Sequence, residues 1–271
     1  MRTARAAAAL LLLAAAPRAL AERGELRYRL EVDLPLTLGA TAFWAGTELA
    51  KPQLAPSTCR VCGVDGLDAR ARQLLVLPWI EPPRRASDVL VGAVMPLGVA
   101  THALLASRAG GQGWREGFVD LLVVSEAVTI AGSLGQVVKY AVGRQRPFVH
   151  YGNYTNPDRR PDPDDNLSFW SGHTAMAFSL AVGAGTVAHL RRDPGAPWVL
   201  GVGLGAATVV GYLRIAGDKH YLTDVLVGAA VGSAAGWAVP WLMHRPETSG
   251  PSAPGPRVAV TPLPLGIALT F

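Results

Sequence analysis

From Asp88 onward the chain alternates long apolar runs with polar connections. The runs are Val89 to Ser107, Phe118 to Val138, His173 to Leu190, Trp198 to Leu213 and Tyr221 to Met243, each 16 to 23 residues long. The first two and the last approach the roughly 20 residues an α-helix needs to cross a bilayer. No β-type alternation of apolar and polar positions occurs between 88 and 245. Few charges interrupt the runs, and Gly and Ala recur in them, as in "LGVGLGAATVVG" and "GAAVGSAAG", in the small-xxx-small manner of close helix contacts. The pattern predicts an all-α, membrane-embedded helical bundle of five to six helices, with residues 88–245 as its catalytic or binding body.

The flanks read differently. Residues 1–21, "MRTARAAAALLLLAAAPRALA", have Arg2 and Arg5, an apolar core from Ala6 to Ala16 and a small-x-small end at Ala19-Leu20-Ala21. That is the pattern of a secretory signal peptide; an uncleaved anchor helix is the competing reading. In residues 22–87 the apolar stretch Leu34 to Ala50 contains Glu48 and is followed by Lys51 and Pro52. It is expected to lie along the membrane as an interfacial helix. Cys59 and Cys62 in "STCRVCG" have no second pair and no nearby His to complete a zinc site. In an exported chain they predict a short disulfide, with free thiols and a redox or metal role as alternatives. Residues 246–271 are rich in proline and predict a loosely ordered tail.

Charge adds an orientation. The formal net charge of +5 falls to about +2 without Arg2, Arg5 and Arg18, so nothing points to nucleic acid. Two short connections, 107–117 and 190–197, carry Arg108, Arg115, Arg191 and Arg192. The positive-inside rule places them in the cytoplasm. The long connection from Ala141 to Phe169 and the turn near Asp218 then fall on the periplasmic side of an inner membrane, provided that Leu34 to Ala50 does not cross.

On that face three polar clusters lie at the boundaries of apolar runs: "KYAVGRQRP" with Lys139, Arg144 and Arg146; "SFWSGHTA" with Ser171, Gly172 and His173; and "RIAGDKHYLTD" with Arg214, His220 and Asp224. Three converging cations, Lys139, Arg146 and Arg214, are costly when semi-buried unless an anion sits among them, and phosphate suits them. Ser171 and Gly172 open a helix whose free N–H groups point at the same ligand. His220 and Asp224 are four apart and share a helical face, so the carboxylate can hold one ring nitrogen and leave the other to attack phosphorus. His173 can protonate the departing oxygen and later activate water.

These residues, Lys139-x6-Arg146-Pro147, Ser171-Gly172-His173 and Arg214-x5-His220-x3-Asp224, resemble the three-part signature of the type 2 phosphatidic acid phosphatase superfamily, which includes bacterial acid phosphatases and vanadium haloperoxidases. The resemblance implies that Lys139, Arg146, Ser171, Gly172 and Arg214 bind phosphate, His173 is the general acid, and His220, oriented by Asp224, is the nucleophile. It implies a phosphatase without a metal or other cofactor, acting at the membrane on a lipid phosphate or isoprenoid diphosphate. The alternatives are a soluble periplasmic acid phosphatase, a haloperoxidase holding vanadate in the same pocket, and a catalytically silent lipid-binding protein. Two positions depart from the family pattern: Trp170 stands where proline is usual, and Leu213 where serine is usual. Arg144 is either a surface charge or a contact behind the site. The loop 151–166 is expected to be a solvated connector, and His102, His150, His189 and His244 receive no role.

Overall fold

The computed structural model describes residues 23–156 and 158–246, together with the backbone of two tail strands; the predicted leader at 1–21 lies outside the described residues. Seven helices longer than two turns follow in order among the described residues: α1 Leu30–Leu49, α2 Gly66–Leu75, α3 Glu81–Ala109, α4 Trp114–Val142, α5 Gly172–Leu190, α6 Ala196–Ala216 and α7 Leu222–Met243. Helices α3, α4, α6 and α7 are long and apolar enough to cross a membrane. Each of α3 and α7 includes a π-helical turn, Leu90–Val94 and Val239–Met243. Pro96 and Pro240 lie beside or within these turns, and neither has an N–H for the ordinary ladder.

Helix α5 is the hub, packed against α4, α6 and α7. Its buried Thr174, Ser179 and Thr186 are tolerated because it faces protein on most sides. Val123, Val124 and Val128 of α4 meet Ala177, Leu180, Ala184 and Val187 of α5 and Val210 of α6 in one apolar core. On α7 the stripe Gly228, Gly232 and Gly236 lets the two backbones meet. A Cβ at Gly232 would stand 2.2 Å from the carbonyl oxygen of Ala175, so no side chain fits without parting the helices. Outward-facing Leu97, Phe118, Val202, Val209 and Leu226 give the bundle an apolar exterior.

The interfacial placement of Leu34 to Ala50 is corrected. Helix α1 runs alongside α4 in the same direction: Ala40 O accepts from Ser133 Oγ (2.9 Å), Thr47 O from Tyr140 Oη (2.7 Å), and Glu48 Oε1 from Gln136 Nε2 (3.0 Å). Asp33 is buried near the start of α1 and Glu48 is exposed near its end, while Leu30, Leu34, Leu38 and Phe43 face outward. Of the acids that interrupt the hydropathy, Glu48 reaches Gln136 of α4, and Asp33 accepts from Arg29 N at the start of its own helix.

Because α3 to α7 alternate in direction, the start of α3, the end of α4, the start of α5, the end of α6 and the start of α7 gather at one end. The segment 55–80 packs over that end. Cys59 and Cys62 are disulfide-bonded, and Val61 bridges to Arg144. At the far end Arg191 is fully buried and pairs with Asp120 (2.7 Å) and Glu116 (2.9 Å), so it is an internal tie and not a loop charge. The tail also differs from expectation: β1 Ala259–Leu263 and β2 Gly266–Thr270 pair as an antiparallel hairpin.

Candidate active site

A cavity of about 540 Å³ opens at the gathered end. Lys139, Arg146, Gly172, His173, Arg214 and His220 line its polar part; Trp44, Val91, Ala131 and Met176 line its apolar part. Of the eight residues predicted to catalyse or bind phosphate, six lie at the ends of α4, α5, α6 and α7, Arg146 precedes a short helical turn at Pro147–His150, and His220 lies in the tight turn between α6 and α7.

Arg146 is held from both sides of the cavity mouth. Its Nε donates to Asp164 O (2.8 Å), its Nη1 to Lys219 O (3.0 Å), and its Nη2 pairs with Asp164 Oδ2 (2.7 Å). The same Nη1 stands 3.1 Å from His220 Nε2. A guanidinium can only donate, so Nε2 offers it a lone pair and the ring proton sits on Nδ1. Nδ1 accordingly donates to Ser168 O at 2.8 Å. Burial first, and then the charges of Arg146, Arg214 and Lys139, hold the His220 pKa well below 6.5. The imidazole is neutral, with its free lone pair toward the cations.

Asp224 does not take the place predicted for it. Its Oδ2 is 3.7 Å from His220 Nδ1 and instead accepts from Ser168 Oγ (2.6 Å) and Tyr221 N (3.0 Å). Its Oδ1 accepts from Arg144 Nη1 (2.6 Å). Asp224 thus fixes Ser168, whose carbonyl fixes His220. Arg144 is not a surface charge: it also reaches Asp68 Oδ2 (2.7 Å), and Asp68 accepts from Thr223 N (2.9 Å) and Oγ1 (2.6 Å). Sequence reasoning missed Asp68 and Ser168. Asp68 lies on α2, 156 residues before Asp224, and no motif links them.

The remaining predicted residues surround the same space. Lys139 forms no ion pair among the described residues, and a Cβ on Gly172 would press its Nζ at 3.0 Å, so glycine leaves the ammonium its room. Arg214 donates Nη1 to Ser87 Oγ (2.9 Å) and Asp88 Oδ1 (3.0 Å), while its buried Nε has no partner. Asp88 Oδ1 also contacts His173 Nε2 at 2.8 Å. Ser171 caps α5, its Oγ receiving Thr174 Oγ1 at 2.8 Å, and it is fully buried; its side chain is turned from the cavity. Trp170 forms part of the wall, with an unpartnered indole N–H. The loop 151–166 is more than a connector, since Asp164 lines the cavity and pairs with Arg146 and with Lys51 (3.2 Å). Burial works to raise the Asp164 pKa, but Arg146, Lys51 and Lys139 hold it far below the ordinary carboxylate range.

The PAP2 superfamily model matches residues 120–247, a stretch that contains all three motifs. This segment belongs to the PAP2 superfamily. The chain is 34% identical over 146 residues to the lipid A 1-phosphatase of Porphyromonas gingivalis, a match covering 53% of this chain and 29% of that protein. It is 35% identical over 132 residues to the undecaprenyl-diphosphatase of Sulfolobus acidocaldarius, covering 48% of this chain and 55% of that one. The chain therefore spans less than two thirds of either relative. A transmembrane PAP2 type phosphatidylglycerolphosphate phosphatase from Bacillus subtilis aligns over 76% of this chain and 93% of its own, with 19% identity and a TM-score of 0.45. Asp68 and Asp88 lie outside the matched PAP2 segment, so its cavity is completed by the chain's own N-terminal part.

Proposed function

We propose that this PAP2 protein is a membrane phosphatase that hydrolyses lipid phosphates or isoprenoid diphosphates through a phosphohistidine. The carrying observation is the neutral His220, its Nδ1 proton committed to Ser168 O and its Nε2 set among Arg146, Arg214 and Lys139. In the first step Nε2 attacks phosphorus, the bond to the leaving oxygen breaks, and His173 gives that oxygen a proton. In the second, water attacks phosphorus, His173 takes its proton, and the N–P bond breaks to release phosphate. The cations and the Arg214 Nε stabilise the equatorial oxygens in both transition states. Arg146 lets go of Nε2 when phosphoryl oxygens arrive to take its donor. A phosphate end joined to an apolar wall suits a phosphorylated lipid, the class named by both relatives.

The orientation belongs to the same proposal. The connection ends at Arg108, Arg115 and Arg192 lie away from the cavity and favour the cytoplasm, which puts the cavity on the periplasmic face of an inner membrane. Since α1 accompanies α4 through the bundle, residue 23 then starts on the cytoplasmic side, and this orientation competes with a translocated, cleaved leader. Single cysteines placed in 151–166 and in 108–113 decide between them by labelling with an impermeant reagent. For the chemistry, detergent-purified wild type and His220→Ala are compared on lipid phosphates, isoprenoid diphosphates and an aryl phosphate. Equal phosphate release by the two proteins refutes the mechanism.

A further inference from the structure

At the other half of the bundle three ligating side chains meet that the phosphate chemistry does not use. Glu126 lies 13 residues before Lys139 on α4, about 20 Å down the helix axis. Its neighbours are Asp33 of α1 and His244 just beyond α7, and one ligand atom from each of the three lies within 4.8 Å of the others. All three are buried, with Glu126 at 0% and His244 at 1% exposure.

The proton arrangement of this cluster is constrained. His244 Nδ1 stands 2.9 Å from Arg27 O. A carbonyl only accepts, so Nδ1 carries its proton and Nε2 faces the carboxylates. A ring N–H committed to a backbone carbonyl, with the other nitrogen turned inward, is how metal-ligating histidines are held. His244 Nε2 and Glu126 Oε2 are 3.2 Å apart. Two tetrahedral zinc ligands, each about 2.0–2.1 Å from the ion, are separated by about 3.3 Å. The second oxygen, Glu126 Oε1, is fully buried and has no hydrogen-bond partner. A buried carboxylate oxygen without a donor is the exception in folded proteins, and a cation supplies what it lacks. Asp33 Oδ2 is held by Arg29 N at 2.7 Å, which fixes the second carboxylate from outside as well.

We propose that Asp33, Glu126 and His244 bind one divalent cation, of zinc type, that joins α1 and the end of α7 to α4. The site is structural and independent of the phosphatase reading, and its ligand set of one imidazole and two carboxylates suits zinc-class ions over magnesium. Binding needs the Nε2 lone pair, so any proton there leaves to solvent as the ion enters.

The test uses the full chain, without a polyhistidine tag, purified in detergent free of chelator. Elemental analysis is expected to find about one equivalent of a divalent transition metal, under about a tenth of that in His244→Ala and in Glu126→Gln, and an unchanged content in His173→Ala. Metal-stripped wild type is then titrated with Zn²⁺ and with Co²⁺. A melting temperature that climbs and saturates at one equivalent, with intense visible Co²⁺ bands that both variants lack, supports the site. Wild type that is metal-free as purified and shows neither a shift nor bands overturns it. In that case the cluster is an imidazolium–carboxylate tie. Metal that is lost in His173→Ala but kept in His244→Ala overturns it too. Because the titration is done on wild type, a misfolded variant cannot hide the answer.

Discussion

Replacing Arg144 with alanine should damage the protein twice, once in stability and once in turnover. The guanidinium spans two carboxylates, Asp224 Oδ1 at 2.6 Å and Asp68 Oδ2 at 2.7 Å, and both acids are fully buried. Removing one partner of a buried ion pair leaves an uncompensated charge and costs about 3–5 kcal/mol. Both acids retain other donors, Ser168 Oγ and Tyr221 N for Asp224, and Thr223 N and Oγ1 for Asp68, so the loss should stay within that range and not double it. At about 2–4 °C per kcal/mol for a chain of this size, the melting temperature falls by about 6–20 °C. Turnover falls as well, because Asp224 holds Ser168 and the Ser168 carbonyl holds Nδ1 of His220. Thermal unfolding in detergent measures the first effect and phosphate release the second. In an Asp68→Asn background the same Arg144→Ala change strands one charge fewer, and the double-mutant cycle should show a coupling of about 1–3 kcal/mol. An Arg144→Ala protein within about 0.5 kcal/mol of wild type, with unchanged turnover, would refute the bridge as an energetic unit.

Three further outcomes follow from the same geometry. Asp88→Asn removes the acceptor shared by His173 Nε2 and Arg214 Nη1; kcat should fall about 10-fold, about 1.4 kcal/mol in barrier, while KM falls because one negative charge leaves the anion site, and steady-state kinetics separate the two. The acid limb of kcat/KM should lie well below pH 6.5: His220 must be neutral to attack, its pKa is depressed by burial and the surrounding cations, and activity is therefore lost only as pH drops through that lowered value. A limb at 6.5 or above in a pH-rate profile contradicts this assignment. Gly232→Ala, whose Cβ would meet Ala175 O at 2.2 Å, should destabilise by about 1–3 kcal/mol or more, whereas Gly201→Ala, with open space at its Cβ, should cost nothing measurable in thermal unfolding.

Much of the site could be read from the chain because its residues sit where apolar runs stop. Lys139, His173, Arg214 and Asp224 each interrupt hydropathy within a turn or so of a helix end, and a polar group there is both visible and unusual. The disulfide followed from two isolated cysteines. What escaped notice came from long-range pairing. Asp68 and Asp88 look like ordinary surface acids, and only the packing of the N-terminal segment over the cavity brings them to Arg144 and His173. The error over α1 had a related cause. Asp33, Pro35 and Glu48 lower its hydropathy, yet Asp33 is buried with a hydrogen bond from Arg29 N, and Glu48 reaches Gln136 of α4 from an exposed position near the helix end.

The order of the motifs also has a physical reason. A bundle of helices that alternate in direction returns the chain to the same end after every second helix. The end of α4 and the start of α5 therefore share a face across one connection, as do the end of α6 and the start of α7. The proposed phosphate ligands Lys139 and Arg146 and the proposed acid His173 belong to the first return; Arg214 and the proposed nucleophile His220 belong to the second. Helix α5 lies between the two and is the most buried, so its packing sets how far His173 stands from His220. That makes the Gly228, Gly232 and Gly236 stripe part of the chemistry's support. A side chain at Gly232 that parts α5 from α7 moves His173 away from His220, and on the proposed mechanism it should lower kcat as well as the melting temperature, with the larger residue causing the greater loss.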